Sequence, residues 1–379
     1  MKNLRTLRHA IPAVALAAAV AAVGASGVAS ASKAKPKPKV KAPTSVNIVV
    51  EKPGSANISE TGSTLLYPLW NLWAPAYQNT YPSVSITTAG TGSGTGIADA
   101  ANGTVNIGSS DAYLSPTTLA ANPGLINIPL AISYQVITYN IPGLNAHLNL
   151  NGKVLSAIYR GSITNWNDPA IAALNPTVKL PSLKIVALHR SDGSGDTFIF
   201  TQYLSRQDST WSSSISYGTT VAFPAISNAL GENGNGGMVS GCQATPGCVA
   251  YVGVSYLTQA LGDGLSYARL LNGDGQYVMP GDSAVALEAA GYAKITPASG
   301  TISMINGRVK GGYPIINYEY AIVNKSQSSS TVAKAVRSVL EWAISPKAGN
   351  SSRYLSQVRF QPLPVKVSAA SYKQIQSIK

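Results

Sequence analysis

Three loops rich in small polar residues each lead into a predicted helix. They are Thr61–Thr64, Gly90–Gly96 and Arg190–Asp196, and they lie far apart in the chain. Short strands that alternate with loops and helices predict an α/β protein with a mostly parallel sheet. The start of a helix exposes unpaired N–H groups and the positive end of the helix dipole. Three such starts can surround one oxyanion, so the pattern predicts a protein that captures an anion.

Hydrophobic spacing predicts the other elements. Strands are predicted at residues 46–50, 84–88, 105–108, 184–188 and 249–254, with an extended apolar run at 314–323. A helix with an apolar face is predicted at 331–344. The segment 125–139 is rich in Ile and Val but contains Pro129, so it is interpreted as strands and a crossover. The glycine-rich segment 231–237 is interpreted as a loop without an assigned place.

The first 46 residues are interpreted as two segments that precede the folded body. In residues 1–31, basic residues come before an Ala/Val/Leu run that ends in Ala29-Ser30-Ala31, the pattern of a secretory signal peptide. The alternative is an N-terminal membrane anchor, because the apolar run is just long enough to span a bilayer. Residues 32–46 alternate Lys with Pro, Ala and Val, which predicts a disordered linker.

The net charge of +13 is concentrated at the N-terminus. Eight basic residues lie before position 42, and the first acidic residue is Glu51. A nucleic-acid partner is not predicted, because no basic patch is interleaved with aromatic residues. The only cysteines, Cys242 and Cys248, predict a disulfide if the chain is secreted. No metal site is predicted, since these two cysteines and the three histidines lack ligand spacing.

The serines of the loops allow a second interpretation, in which the chain is a secreted phosphoesterase. Ser93 and Ser194 lack the glycine two positions upstream that a nucleophile elbow needs. His189 and Asp192 are close to Ser194 in sequence, but neighbouring residues on a strand point in different directions. The glycine-rich loop also fails the dinucleotide fingerprint, because Thr95 stands where the third glycine belongs.

Taken together, the loop motifs resemble those of the substrate-binding protein of the Pst-type phosphate ABC importer. The motifs, in the family's order and spacing, are Thr61-Gly62-Ser63-Thr64-Leu65, Gly92-Ser93-Gly94, Gly108-Ser109-Ser110-Asp111 and Arg190-Ser191-Asp192-Gly193-Ser194-Gly195. The resemblance runs from about Ile58 to Pro364 and points to the actinobacterial, mycobacterial-type branch. It implies a two-lobed, type II periplasmic-binding-protein fold in which the chain crosses between lobes twice. Lobe I would comprise residues 47–132 and 317–379, and lobe II residues 133–316.

The resemblance also implies the binding residues. They are Thr64, Leu65, Ser93, Asp111, Arg190, Ser194, Gly195 and Asp196, with Ser63 and Asp192 in supporting roles. Backbone N–H groups and hydroxyls would donate hydrogen bonds, Asp111 would accept a proton from phosphate, and Arg190 would grip the ion. Many family members have Thr where this chain has Asp196, so a second carboxylate acceptor is implied.

The ligand implied by the resemblance is inorganic phosphate, and the implied partners are the permease and ATPase subunits of an ABC importer. No cofactor and no catalytic residue are implied. Related lipoproteins carry a Cys just after the signal, whereas no Cys precedes Cys242 here. The implied location is therefore secreted, periplasmic or cell-surface associated. A receptor for another oxyanion is an alternative, but Asp111 disfavours sulfate, which has no proton to donate. An adhesin or signalling protein on the same fold is a third possibility.

Overall fold

Strands and helices alternate along residues 46–379, the part of the chain that the computed structural model describes. The predicted signal peptide and the linker up to residue 45 lie outside the described residues. The strands are β1 (Ala56–Gly62), β2 (Val84–Ala89), β3 (Ile107–Ser110), β4 (Leu125–Tyr139), β5 (Asn149–Leu150), β6 (Val186–Arg190), β7 (Ala229–Glu232), β8 (Cys248–Gly253), β9 (Ser266–Tyr267), β10 (Arg269–Leu271), β11 (Tyr277–Val278) and β12 (Ile316–Asn324).

The helices pack mainly against these strands. They are α1 (Tyr67–Thr80), α2 (Ser93–Asn102), α3 (Pro116–Ala121), α4 (Gly152–Tyr159), α5 (Pro169–Leu174), α6 (Gly195–Gln207), α7 (Ser209–Ser214), α8 (Gly234–Ala244), α9 (Leu257–Gly262), α10 (Asp282–Ala293), α11 (Ser330–Ile344), α12 (Ser352–Leu355) and α13 (Val365–Ile375). Within the described residues, no helix is both long enough and apolar enough to cross a membrane.

Most strands form one nine-stranded sheet with two parallel regions. Its order is β2-β1-β3-β12-β4-β8-β6-β7, with β9 paired to β4. The strands β1, β2 and β3 are parallel to one another where they pair, and so are β6, β7 and β8. The strands β12 and β4 pair antiparallel with their neighbours. The sheet is therefore mixed, because two parallel regions are joined by two antiparallel crossing strands.

The strand β4 belongs to both regions. Its residues Leu125–Tyr134 pair with β12, and its residues Gln135–Tyr139 pair with β8. We call β2, β1, β3, β12 and the start of β4 half-sheet I, and the end of β4 with β8, β6 and β7 half-sheet II. The register of β4 with β12 shifts opposite Pro129. Such a bulge admits a residue without an N–H donor, so the segment is one strand rather than several.

Two other sequence-based assignments are wrong. Residues 46–50, predicted as a strand, have no regular secondary structure. The chain next to them is held by side chains instead, since the Glu51 N–H donates to Glu341 Oε2 (2.7 Å). The segment 231–237, predicted as a loop, contains the end of β7 and the first turn of α8. Packing explains this helix despite its glycines, because its Met238 and Val239 are fully buried.

The predicted disulfide is present. Cys242 near the end of α8 is bonded to Cys248 at the start of β8, with the two Cα atoms 5.3 Å apart. Both cysteines are fully buried. The bond therefore fixes α8 against half-sheet II.

Candidate functional site

The first loop forms a helical turn just before α1. The Tyr67 N–H donates to the Ser63 carbonyl (3.0 Å), and the Leu66 N–H donates to Ser63 Oγ (2.9 Å). The N–H groups of Thr64 and Leu65, between them, have no hydrogen-bond acceptor among the described residues. Both residues are buried. This turn therefore presents two donors that its own chain does not use.

The second loop leads directly into α2, whose first residue is Ser93. The φ angle of Gly92 is +94°, and a Cβ there would lie 2.5 Å from Asp192 Oδ2, so only glycine fits. The Gly94 N–H donates to the Gly193 carbonyl (2.8 Å). This bond joins the second loop, next to half-sheet I, to the third loop, next to half-sheet II.

The third loop surrounds a buried guanidinium. Arg190 Nε donates to Asp192 Oδ1 (2.6 Å), and Nη2 donates to the other oxygen of Asp192. Nη1 donates to Asp196 Oδ2 (3.2 Å). Burial pushes the pKa of Asp192 upward, but the bond and charge of Arg190 outweigh it and hold that pKa below its ordinary value. Asp192 is therefore an ionised partner that fixes the orientation of Arg190.

The start of α6 supplies two more unpaired donors. The Ser194 side chain caps the helix by accepting from the Thr197 N–H (3.2 Å), and the Ser194 N–H donates to Thr219 O (2.7 Å). The N–H groups of Gly195 and Asp196 have no acceptor among the described residues. The Ser194 N–H is thus already engaged in this structure.

Glycine at position 195 allows the loops to meet. A Cβ at Gly195 would collide with the carboxyl group of Asp111 and the hydroxyl of Ser93. The start of α6 therefore faces both residues directly. Ser93 itself donates to Asp111 Oδ2 (3.3 Å) and accepts from the Asp111 N–H (3.2 Å), and Ser63 Oγ donates to Asp111 Oδ1. The structure thus brings the three loops together around Asp111.

Asn235, at the start of α8, is a site residue that the sequence analysis missed. It is fully buried. Its Nδ2 donates to Thr64 Oγ1 (3.0 Å) and to Asp196 Oδ2 (2.6 Å), and its Oδ1 accepts from the Gly253 N–H (2.7 Å). Its own N–H also donates to Thr64 Oγ1 (3.3 Å). The sequence feature that could have indicated this residue is an asparagine among glycines directly after a strand.

Glu319 is a second residue that the sequence analysis missed. It lies in the middle of β12, fully buried, and the pairing of β12 with β3 places it opposite Asp111. Burial raises the pKa of Glu319 to about 7, although its hydrogen bonds with Ser133 and Asn317 act to lower it. Burial and the charge of Glu319 raise the pKa of Asp111 well above its ordinary value. The sequence feature that could have indicated Glu319 is that it is the single acid inside the apolar run 314–323.

Asp196 lies close to these two acids, in the first turn of α6. It accepts from Arg190 and Asn235 at Oδ2 and from Gln135 Nε2 at Oδ1 (3.0 Å). Burial and the charge of Asp111 nevertheless raise its pKa to about 7, because they outweigh the opposing effect of Arg190. Three carboxyl groups, those of Asp111, Glu319 and Asp196, are thus close enough to influence one another, and the Arg190 guanidinium bonds to Asp196 and Asp192.

The residues for serine hydrolysis are not brought together. The His189 ring stacks on Phe223, with the ring centroids 4.6 Å apart, and its Nδ1 lies 3.2 Å from the Arg190 carbonyl oxygen. Ser194 Oγ caps α6 and makes no hydrogen bond to a histidine among the described residues. Within the same residues, no cluster of His, Cys, Asp or Glu has the arrangement of a metal site.

Comparisons with known proteins show which family the chain resembles over most of its length. Residues 49–347 match a family described as a PBP superfamily domain. The phosphate-binding protein PstS of Xylella fastidiosa is 32% identical over 83% of this chain and 83% of its own. The phosphate-binding protein PstS 2 of Mycobacterium tuberculosis is 29% identical over 84% of this chain and 87% of its own.

A solved structure of a phosphate-binding protein from Stenotrophomonas maltophilia superposes with a TM-score of 0.63 at 21% identity. The match covers 84% of this chain and 93% of that one. At this identity the match speaks for the fold alone, and it confirms the expected two-lobed periplasmic-binding-protein fold. The family match over most of the chain and the identity to the Xylella relative lead to one conclusion: the chain belongs to the PBP superfamily and, within it, to the PstS family of phosphate-binding proteins.

Proposed function

We propose that this chain is an extracytoplasmic receptor that captures inorganic phosphate between two lobes and delivers it to the permease and ATPase subunits of an ABC importer. The observation that carries the proposal is a set of buried N–H groups with no acceptor among the described residues. They belong to Thr64, Leu65, Ser93, Gly195 and Asp196. A buried donor without a partner is costly, so such a set is explained by a ligand that accepts from it.

An anion removed from water needs both charge and hydrogen-bond donors. Arg190 supplies the charge, and Asp192 holds its guanidinium in place. The Thr64 hydroxyl adds a donor, because its oxygen already accepts from both nitrogens of Asn235 and its own proton is left for another acceptor. Ser93 and Ser194 line the same space at the starts of α2 and α6.

Asp111 is the proposed selectivity residue. A carboxylate that faces the ion gains a short charge-assisted bond from a phosphate O–H. Sulfate near neutral pH has no proton to donate and is repelled. Asp196 is proposed as a second acceptor of the same kind, since it lies across the site at the first turn of α6.

The proposed lobes follow the two half-sheets. Lobe I comprises residues 47–132 and 317–379, and lobe II comprises residues 133–316. The proposal is supported by β4, whose pairing changes from β12 to β8 at Gln135, and by β12, which begins at Ile316. Contacts such as Gly94 N–H to Gly193 O and Asn235 to Thr64 then run between lobes, so they form when the lobes close over an ion.

Export from the cytoplasm is proposed from the N-terminal sequence. Residues 1–31 serve as a signal peptide, and residues 32–46 serve as a linker between it and the folded body. The proposed reaction is capture and release without bond cleavage. The His189 ring stacks on Phe223, and neither Ser93 nor Ser194 is hydrogen-bonded to a histidine among the described residues.

Isothermal titration of the purified protein tests the function. We expect a single site for phosphate, binding of sulfate at least about 100-fold weaker, and no turnover of a phosphomonoester. Hydrolysis of the ester that disappears in Ser194→Ala would support the phosphoesterase alternative instead. Equal affinity for sulfate and phosphate would favour a general oxyanion receptor.

A further inference from the structure

Tyr113 lies at the edge of the candidate site, in the loop that follows β3 and two positions after Asp111. The next residue fixes this loop to half-sheet I, because the Leu114 N–H donates to Oδ1 of Asn127 in β4 (2.9 Å). Asp111 is buried, whereas Tyr113 is only half-buried. The backbone that carries the Tyr113 ring is therefore attached to half-sheet I, and the ring extends from the site toward the surface.

The Tyr113 ring contacts α6, the helix that follows β6 of half-sheet II. Its centroid lies 5.1 Å from the centroid of the Phe198 ring, and the two ring planes are at 90°. The Phe198 ring also meets the Tyr217 ring edge to face, with centroids 5.5 Å apart. Such edge-to-face pairs are favourable beyond the apolar area that they bury. We call Tyr113, Phe198 and Tyr217 the aromatic cluster.

A hydrogen bond accompanies the contact between the rings. Gln202 lies one helical turn after Phe198 on α6, and its Nε2 donates to Tyr113 Oη (3.0 Å). Its Oε1 accepts from Ser303 Oγ (2.8 Å), and Ser303 Oγ accepts in turn from Arg206 Nη2 (3.0 Å). An amide oxygen cannot donate, so the bond from Ser303 directs the amide nitrogen toward Tyr113.

The aromatic cluster separates Asp111 from an outer cavity. This cavity has a volume of about 320 Å³ and opens to the surface beside the exposed residues Ser115 and Tyr217. Tyr113 and Phe198 line the cavity, and they also line a space of about 10 Å³ that reaches Asp111. A space of that size holds at most about one water molecule. An ion therefore cannot pass between Asp111 and the outer cavity while the two rings are in contact.

The contacts of Tyr113 cross the proposed lobe boundary. Tyr113 belongs to the proposed lobe I, whereas Phe198 and Gln202 belong to the proposed lobe II. We propose that Tyr113 is a positioning residue that keeps the two lobes closed over bound phosphate and so slows the release of the ion. The inference rests on the proposed function and adds to it a residue that sets how long phosphate stays bound without being one of its ligands.

Contacts that form only on closure act mainly on release. Phosphate enters while the lobes are open, before Tyr113 meets α6, so the association rate constant should change by no more than about twofold when Tyr113 is replaced. Tyr113→Ala removes both the ring contact and the hydrogen bond, and should raise the dissociation rate constant about 5- to 150-fold. Tyr113→Phe removes only the hydrogen bond, and should raise it about 2- to 13-fold.

The experiment measures release directly. Each protein is loaded with radiolabelled phosphate and mixed with an excess of unlabelled phosphate, and the label that stays bound is followed by rapid filtration. Calorimetric dissociation constants for the same proteins then give the association rate constants. The matched control is Tyr81→Ala, because Tyr81 is also half-buried but its ring lies against Tyr77, 4.9 Å away, within the proposed lobe I. Melting temperatures of the phosphate-free proteins show whether each variant is folded.

We expect release to be fastest in Tyr113→Ala, intermediate in Tyr113→Phe, and equally slow in Tyr81→Ala and the wild type. Wild-type release from Tyr113→Ala would overturn the inference while leaving the proposed function intact. Faster association and faster release with an unchanged dissociation constant would also overturn it, since Tyr113 would then only obstruct the passage. If Tyr113→Ala does not fold, the release rate of Tyr113→Phe decides. Failure of the wild type to bind phosphate would instead refute the proposed function.

A second variant tests the contact from the other side. Phe198→Leu keeps an apolar side chain on α6 but removes the ring that faces Tyr113. If the two rings act through their mutual contact, the double variant with Tyr113→Ala should release phosphate with a smaller increase than the product of the two single increases. A rate increase equal to that product would show that the two residues act independently, and would overturn the role of the ring contact.

Discussion

Replacing Asn235 with alanine removes a side chain that makes three hydrogen bonds. It links Thr64, in the loop after β1, to Asp196 in α6 and to Gly253 at the end of β8. The bond to Thr64 crosses the proposed lobe boundary, and a neutral hydrogen bond contributes about 0.5–1.5 kcal/mol. We therefore expect phosphate affinity to fall about 2- to 13-fold. The Gly253 N–H and the Asp196 carboxyl would lose a buried partner, so the free energy of unfolding should fall by about 1–3 kcal/mol.

A double-mutant cycle separates these two effects. Thr64→Val removes the hydroxyl that accepts from Asn235, and Thr64→Ser keeps it as a matched control. Calorimetric dissociation constants for the wild type, Thr64→Val, Asn235→Ala and the double variant give the coupling energy, while urea unfolding gives the stability. We expect a coupling of about 0.5–1.5 kcal/mol in binding. Strictly additive losses in affinity would refute the idea that this contact holds the closed state.

Other substitutions test the remaining roles. Arg190→Ala should weaken phosphate binding by one to several orders of magnitude, since bonds to charged groups contribute about 1.5–3 kcal/mol each; wild-type affinity by titration would exclude it from the site. Asp111→Asn should lose phosphate-over-sulfate discrimination in competition titrations, and unaltered discrimination would exclude the filter role. Burial raises the pKa of Asp196 to about 7, so the ionised form destabilises the fold as pH rises from about 4 to about 7. The melting temperature of Asp196→Asn, relative to that of the wild type, should therefore increase as the pH rises across that window. If the pH profile of phosphate binding is the same in Asp196→Asn as in the wild type, Asp196 has this structural role only. Replacing Cys242 and Cys248 together with alanine should cost about 2 kcal/mol of stability and leave phosphate affinity intact, because their loop is short; lost affinity would show that α8 needs the bond.

The α/β class and most elements were predictable because their hydrophobic patterns are strong. The predicted helix at 331–344 corresponds to α11 (Ser330–Ile344), and the predicted strand at 84–88 corresponds to β2 (Val84–Ala89). The false strand at 46–50 has a physical reason. Its Val and Ile residues favour extended backbone, but no strand within residues 46–379 pairs with it. Strand propensity cannot show whether a partner is within reach.

The loops of the site could be found from sequence because small residues before helices have a local signature. Asn235 and Glu319 could not be placed in the same way. Asn235 meets Thr64 from 171 positions away, and Glu319 reaches Asp111 only because β12 returns beside β3. Contacts of this kind depend on topology, and the glycine-rich segment around Asn235 has no periodicity to indicate a helix. Local sequence therefore gives the donors but not the residues that join them.

The crossing strands also determine the order in which the protein can fold. The region that contains β1, β2 and β3 lacks its neighbour β12 until residue 324 has been synthesised, and its Glu51 finds its partners, Arg337 and Glu341, on α11. The middle of the chain, from β6 to β8, has its own strands and helices much earlier. Half-sheet I therefore stays incomplete on the ribosome until the C-terminal helices emerge. A chain that cannot close its first core early stays unfolded for longer, which would favour the export proposed above, since a secretion channel admits an unfolded chain.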